Sequence, residues 1–592
     1  MAFRNNPVVY LTMEMWRYSE GNRKKVVLYS LMFIVANIIG LTEPLVVALL
    51  LNTVQEQGIT AANLNYLLAI IGLFVAIEVG FWAFHGPARV MENNNAFRVR
   101  SNYKKRMLEG MMSLPMEWHT EHHSGDTIDK IEKGSHSLFD YSSNTWGVIR
   151  IIVSVISAYI ILVFFNIHSA YIVAALIVLM FLTLLRFDKS LIGKWARLYK
   201  AENAISARVY DVISNISTVI ILRLEKLSSA GIVRKITAPY GLYKQTNKLN
   251  EAKWFIVSLV GVAMMAMVMA SYILGSLYAG TPVLIGTLYA LYGYVQRIRS
   301  EFFELAWRYS EIVRWKTAVH NAEEISREFR EKPAITPIDL TRSWKGLHIN
   351  KLSFNYQGTE GELHLNNVSL EIRRGEKIAL VGESGSGKTT FLKLIRALYK
   401  PRHVAIAVNG KKLNSFDALA PNITLVPQDP ELFDASIKEN IAMGMPYSLA
   451  KIRKYTGMAM FTQVAERLPK KFNSHIKEKG VNLSTGEKQR LALARGLLAA
   501  EKTPILLLDE PTSSVDSANE MEIYKNIFSA FRNKTIISSV HRLHLLPHFD
   551  KIYVFKKGRI IARGSLKEVL KNREFRKMWK KYTRKESMHV RF

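Results

Sequence analysis

Cysteine is missing altogether from this 592-residue chain, so neither a disulfide framework nor a thiolate metal site can be built from it. Acidic residues are scarce beside basic ones, 49 against 80, which leaves a formal charge of +31. Such a surplus suits nucleic acid, but it suits equally a membrane protein with basic cytosolic loops, and the apolar spans below favour the second. Between Met1 and Lys25 there is no short apolar core followed by a small-residue cleavage site, so no signal peptide is expected. Low-complexity tracts and repeats with a period of about 20–50 residues are absent too.

What is present is segregated. Hydrophobic residues reach 49% in a chain that is also 22% charged, which calls for apolar blocks in one region and a soluble domain elsewhere. A bilayer span needs about 20 mainly apolar residues. Six candidates follow: Val26 to Thr53, Leu64 to Phe84, Gly147 to Phe165, Ser169 to Leu185, Trp254 to Tyr278 and the short Pro282 to Val295. Three connections, 55–63, 166–168 and 279–281, are tiny and hold no Lys or Arg. The others are long and basic, with Arg98, Arg100, Lys104, Lys105, Arg106, Lys130, Lys133, Arg186, Lys189, Lys194 and Arg197. The positive-inside rule therefore puts the N-terminus, both long loops and everything after the sixth span in the cytosol, as expected of a multi-pass protein of the plasma (inner) membrane. The long loops, poor in Pro and Gly, read as membrane helices continuing below the bilayer.

From Trp344 onward short strands alternate with helices. The fold class expected is an all-α, six-helix transmembrane domain followed by an α/β P-loop ATPase domain. The expected divisions are a cytosolic segment 1–25, a transmembrane domain 26–315, a charged helical linker 316–343 and a nucleotide-binding domain 344–592 with a basic tail.

The run Gly382, Glu383, Ser384, Gly385, Ser386, Gly387, Lys388, Thr389 fits the phosphate-binding P-loop, between an apolar strand, Lys377 to Val381, and a helix opening near Thr390. Glycines let backbone amides turn inward around phosphate, and the helix N-terminus adds partial positive charge. Lys388 is expected to bridge the β- and γ-phosphates of ATP, and the Thr389 hydroxyl to reach Mg²⁺. Downstream, the apolar run Ile505 to Leu508 ends in Asp509 and Glu510. A buried strand ending in two carboxylates suits Asp509 to hold Mg²⁺ and Glu510 to polarise the attacking water.

Between these motifs stands Leu483-Ser484-Thr485-Gly486-Glu487, followed by Lys488, Gln489 and Arg490. With this run the chain resembles the ABC transporters, whose signature is usually Leu-Ser-Gly-Gly-Gln/Glu before a helix. Ser484 also reads as a helix N-cap with Glu487 as the capping-box acid, and both readings can hold together. By resemblance, Ser484, Thr485, Gly486 and Glu487 close on the γ-phosphate bound to a second chain. Tyr356 matches the aromatic that stacks on adenine, and Gln428 the glutamine that senses Mg²⁺ and faces the membrane domain. Glu478 to Gly480 resembles the loop that meets the coupling helices. Ser513 to Asp516 matches the loop that crosses to the partner, and His541 the histidine on the γ-phosphate.

Thr485 departs from the family, which has glycine there, and puts a β-branched side chain where backbone should approach phosphate. An active site with slowed turnover is the expectation. The span arrangement resembles exporter-type half-transporters: Met112 to His119 with Gly125 and Asp126 looks like the first intracellular loop, and Asp211 to Glu225 like the helix entering the second. The resemblance implies a dimer of two such chains, a homodimer since no catalytic residue has degenerated, with no nucleic-acid partner. It implies ATP and Mg²⁺ as cofactors and an amphipathic lipid, drug or peptide moved outward. An ATP-gated channel on the same scaffold is the alternative, and Glu510 and His541 argue against it. Glu43 and Glu78 lie inside spans, where an ionisable group marks a functional candidate. The methionines Met264, Met265, Met267 and Met269 read as lipid-facing or helix-packing residues with a cavity lining as the alternative, and Tyr289, Tyr292 and Tyr294 as cavity or interface aromatics. The basic tail, Arg576, Lys577, Lys580, Lys581, Arg584 and Lys585, reads as a solvated helix face.

Overall fold

The computed structural model describes residues 6–122, 124–329, 337–341, 344–356, 363–429, 431–476 and 483–589, with side chains to residue 582. Glu478 to Gly480, Pro333 and the side chains of Arg584 and Lys585 lie outside these. The chain divides into two units, 1–112 with 124–329, and 113–123 with 330–592.

The first unit is helical throughout. Among its described residues, five helical stretches are long and apolar enough to cross a membrane. The expected continuation below the bilayer is plain in the lengths: Leu64–Ser113 has 50 residues and Ile167–Ser214 has 48, far beyond a span's need. The sixth expected span is different. Residues 281–284 are not helical, and the helix begins at Ile285 and runs to Ser326, with its apolar part confined to the first turns. It therefore carries on through 316–326, burying Val319, Ala322 and Ile325.

The first span is two helices, Arg23–Gly40 and Glu43–Gln57. Pro44 has no N–H and its ring collides with the carbonyl four residues back, so the helix breaks just before it. The Tyr294 hydroxyl donates to the freed Leu41 carbonyl at 2.8 Å, which satisfies one group the break exposes. Asp211 to Glu225 is likewise not one helix. Ile167–Ser214 ends there, a six-residue helix Ile216–Ile221 follows, and Arg223 turns the chain at φ 54° before Glu225–Thr237.

Polar side chains join these helices outside the apolar core. Glu92, on the long helix and wholly buried, accepts from Thr145 Oγ1 at 2.5 Å and from the Trp146 N–H at 2.8 Å, and pairs with Arg89. It thereby caps the start of the helix Thr145–Phe165, where the helix dipole favours negative charge. Glu43 and Glu78 are exposed in this chain, and Glu78 accepts from Trp82 Nε1 at 2.8 Å. Met264 and Tyr294 are core residues, whereas Met267, Tyr289 and Tyr292 are exposed.

In the second unit, a six-stranded sheet has the order Arg559–Gly564, Lys551–Lys556, Lys377–Val381, Thr535–Ser539, Ile505–Asp509, Ile423–Val426. Four of its five pairings are parallel, and the pairing of Arg559–Gly564 with Lys551–Lys556 is antiparallel. Ile505 and Leu507 face one core with Ile378, Leu380 and Phe391; Leu506 and Leu508 face the other with Leu491, Leu497 and Ile536. Burial on both faces is why the strand reads as an unbroken apolar run rather than an alternation. A four-stranded antiparallel sheet, Leu365–Arg373, Gly346–Phe354, His403–Val408, Lys411–Leu413, covers the first of these cores. The short helix Met116–Glu121 belongs to this unit, where Glu117 Oε1 accepts the Lys400 N–H at 3.3 Å.

Candidate nucleotide site

The P-loop joins the strand Lys377–Val381 to the helix Lys388–Ile395, as expected of the sequence. Two of its glycines are demanded by space. A Cβ on Gly382 would stand 2.3 Å from the Phe555 carbonyl oxygen, and Gly387, at φ 106°, would bring one to 2.6 Å from Leu365. The loop is thus pressed onto the neighbouring strands, while Glu383, Ser384 and Gly385 stay exposed. The buried Lys388 ammonium donates to the carbonyls of Gly382 at 2.8 Å and Glu383 at 3.1 Å. Burial pulls its pKa down, and Glu510 and Asp509 push it back up.

Asp509, 3% exposed, accepts from Thr389 Oγ1 at 3.0 Å. Burial raises its carboxyl above the usual carboxylate range, and the Thr389 bond opposes the shift. A buried carboxylate beside a hydroxyl is a hard-oxygen pair of the kind Mg²⁺ takes, with its remaining ligands drawn from phosphate and water. Among the described residues no three His, Asp or Glu side chains converge, so a dedicated all-protein metal cage is not formed there.

Glu510 follows at once, in the left-handed region at φ 44°. A non-glycine residue holds that conformation only where its surroundings impose it. Its carboxylate accepts from Gln428 Nε2 at 3.1 Å. Glu510, Ser513, Ser539 and His541 line one cavity of about 40 Å³, so the expected base and the expected γ-phosphate histidine face the same space. Tyr356 sits among Phe354, His364 and Tyr399, all edge-on at 4.8 to 5.2 Å, and its hydroxyl lies 3.3 Å from Thr390 Oγ1.

The signature residues do not line the cavity of Glu510 and His541. Ser484 caps the helix Thr485–Ala499, and with Glu487 it forms the full capping box, as the sequence reading anticipates. Arg467 pairs with Glu487. Thr485 is exposed. Gly486 is not free to change, because a Cβ there would lie 2.6 Å from the Ser514 carbonyl oxygen. Gly486→Ala should therefore push the signature off the loop 510–515 and cut ATPase turnover about tenfold, the effect of an overpacking of about 1.4 kcal/mol felt in the transition state. Steady-state kinetics with a parallel nucleotide titration checks this, and an unchanged rate would refute it. Asp516 caps the helix Ser517–Ala530 by accepting the Asn519 N–H at 2.9 Å, and that backbone bond holds its carboxyl low.

One polar residue of the site escapes the sequence reading: Gln489, buried beneath the signature. Its signal was available, since it shares a four-residue spacing with the buried Leu493 and Leu497. A polar residue on an apolar stripe calls for partners.

The family model for the ABC transporter transmembrane region matches residues 26–296, and the ABC transporter model matches 365–513. A multidrug resistance-like ATP-binding protein, MdlB, from Buchnera aphidicola is 25% identical over 568 residues, 95% of each chain. The heterocyst differentiation ATP-binding protein HepA of a Nostoc species is 39% identical over 39% of this chain and 38% of its own length. An ATP-dependent lipid A-core flippase of Aromatoleum aromaticum is 36% identical over 43% of this chain and 42% of its own. The last two matches thus span less than half of those relatives. In fold, the chain is similar to a bacterial Atm1-family ABC exporter with ATP bound, at TM-score 0.81 and 21% identity over 95% of this chain and 98% of that one. With both parts matched in one polypeptide and a helical unit preceding an α/β unit that carries a P-loop, the chain belongs to the ABC transporter family, with fused transmembrane and ATPase domains in an exporter-like fold.

Proposed function

We propose that this half-transporter hydrolyses ATP with Mg²⁺, works as a homodimer, and moves an amphipathic substrate outward from the cytosolic side or inner leaflet. The carrying observation is the grouping of Glu510, Gln428 and His541 beside the Thr389–Asp509 pair. Glu510 and Gln428 would orient water, Thr389 and Asp509 would hold Mg²⁺, and Lys388 would neutralise the phosphates. Mg²⁺ would supply charge stabilisation to the transferring phosphoryl group. The relatives named for drug resistance and for lipid A-core flipping support an amphipathic cargo, and the basic long loops support an inner-membrane location with both termini cytosolic.

The test is reconstitution into lipid vesicles, with ATPase stimulation used to find a ligand and ATP-driven uphill movement of that ligand then measured. Conductance with ATPase activity but no uphill transport would replace the pump by a channel. Thr485→Gly should raise turnover, by about threefold, since it frees the backbone of a β-branched side chain near phosphate. Thr485 is exposed, so little stability is at stake. An identical ATPase rate in wild type and variant would strip the position of importance.

A further inference from the structure

Gln489 is 4% exposed and uses its whole amide. Its Nε2 donates to the Glu510 carbonyl at 3.0 Å and to Ser513 Oγ at 2.9 Å, and its Oε1 accepts the Ser514 N–H at 2.9 Å. Two donors and one acceptor are thus spent on Glu510, Ser513 and Ser514 in the loop after Asp509. Three residues earlier on the same helix, Gly486 is packed so closely on the Ser514 carbonyl that no Cβ fits. The signature end of the helix Thr485–Ala499 and the loop 510–515 are therefore held together by hydrogen bonds and by contact.

The peptide that Gln489 grips is the one in the left-handed conformation. The Glu510 side chain projects from that backbone toward Gln428 and the cavity it shares with His541. A second bond to the same carbonyl, from the Ser513 N–H, is longer at 3.3 Å. We propose that Gln489 is a positioning residue: it ties the Glu510 peptide to the signature helix, so that the setting of that helix fixes the aim of the Glu510 carboxylate. Gln489 touches neither nucleotide nor water in this role. The inference rests on Glu510 acting as the base.

The test uses the full chain in lipid nanodiscs. Gln489→Leu keeps the size of the side chain and removes all three hydrogen bonds. Single-turnover hydrolysis should fall about tenfold or more, while affinity for a fluorescent ATP analogue changes by less than about twofold. A merely structural glutamine would not give that split. In a Glu510→Gln background the same substitution should alter the residual rate by less than about twofold, because the group being aimed has already gone. Ser513→Ala, which deletes one acceptor, should cost about threefold, again only when Glu510 is present. If Gln489→Leu loses nucleotide binding through misfolding, the Ser513→Ala pair decides. Equal losses in both backgrounds, or no loss in either variant, overturn the proposal. Failure of the underlying reading looks different: Glu510→Gln alone would then retain the full rate.

Discussion

Glu510→Gln should lower the steady-state ATPase rate by about 100-fold to 1,000-fold, the range expected when a positioned general base is removed. Glutamine keeps the size of the side chain, and its amide oxygen still accepts from Gln428 Nε2, now 3.1 Å from the carboxylate. The bond from Gln489 to the backbone carbonyl is untouched. Neither the left-handed backbone nor the strand Ile505–Asp509 is therefore disturbed, and nucleotide affinity should stay within about twofold of wild type. Turnover and equilibrium binding measured on one preparation separate the two effects. A variant that turns over at more than about a tenth of the wild-type rate would mean that the water is activated elsewhere, with His541 the next candidate in the same cavity.

Lys388→Ala should act on the other half of that distinction, weakening ATP binding by about 100-fold or more. Charged hydrogen bonds contribute roughly 1.5–3 kcal/mol each, and in the role proposed for it this ammonium would give two, to the β- and γ-phosphates. The loss is compounded in the protein itself. The Gly382 and Glu383 carbonyls now take their hydrogen bonds from Lys388. Without it two loop carbonyls need new partners, and an ammonium that interacts with Glu510 and Asp509 is gone. Lys388→Arg should not restore binding, because the lysine is only 5% exposed and a planar guanidinium needs more room. Nucleotide titration of the three proteins is the measurement, and an alanine variant binding within about threefold of wild type would remove Lys388 from phosphate recognition.

These two residues were legible from the sequence for a physical reason. P-loop chemistry needs glycines, a lysine and a hydroxyl at fixed spacing between a strand and a helix, so the pattern is local. The run Ile505 to Leu508 was equally readable, because a strand buried on both faces leaves no polar residue to interrupt it. Capping by Ser484 and Glu487 is local as well. What sequence could not supply were contacts between distant segments. The partners of Gln489 are more than 20 residues away, and Glu92 finds Thr145 at a separation of 53. Helix ends were uncertain for a related reason. Arg223 adopts a left-handed turn and splits a stretch that otherwise reads as continuous helix, and nothing in its residue type announces that. The membrane residues singled out for being ionisable, Glu43 and Glu78, lie on exposed faces of this chain, while the buried acids Glu92 and Glu301 belong to the basic segments outside the expected spans.

The cap that Glu92 places on the helix Thr145–Phe165 limits how the helical unit can change shape. An α-helix turns about 100° per residue, so even a one-residue roll of Leu64–Ser113 would swing the carboxylate off the Thr145 hydroxyl and the Trp146 amide. Those donors lie at a helix start, with no intrahelical acceptor to fall back on. Movement of the two segments together keeps the cap, whereas a roll of either one leaves a buried carboxylate without two of its donors.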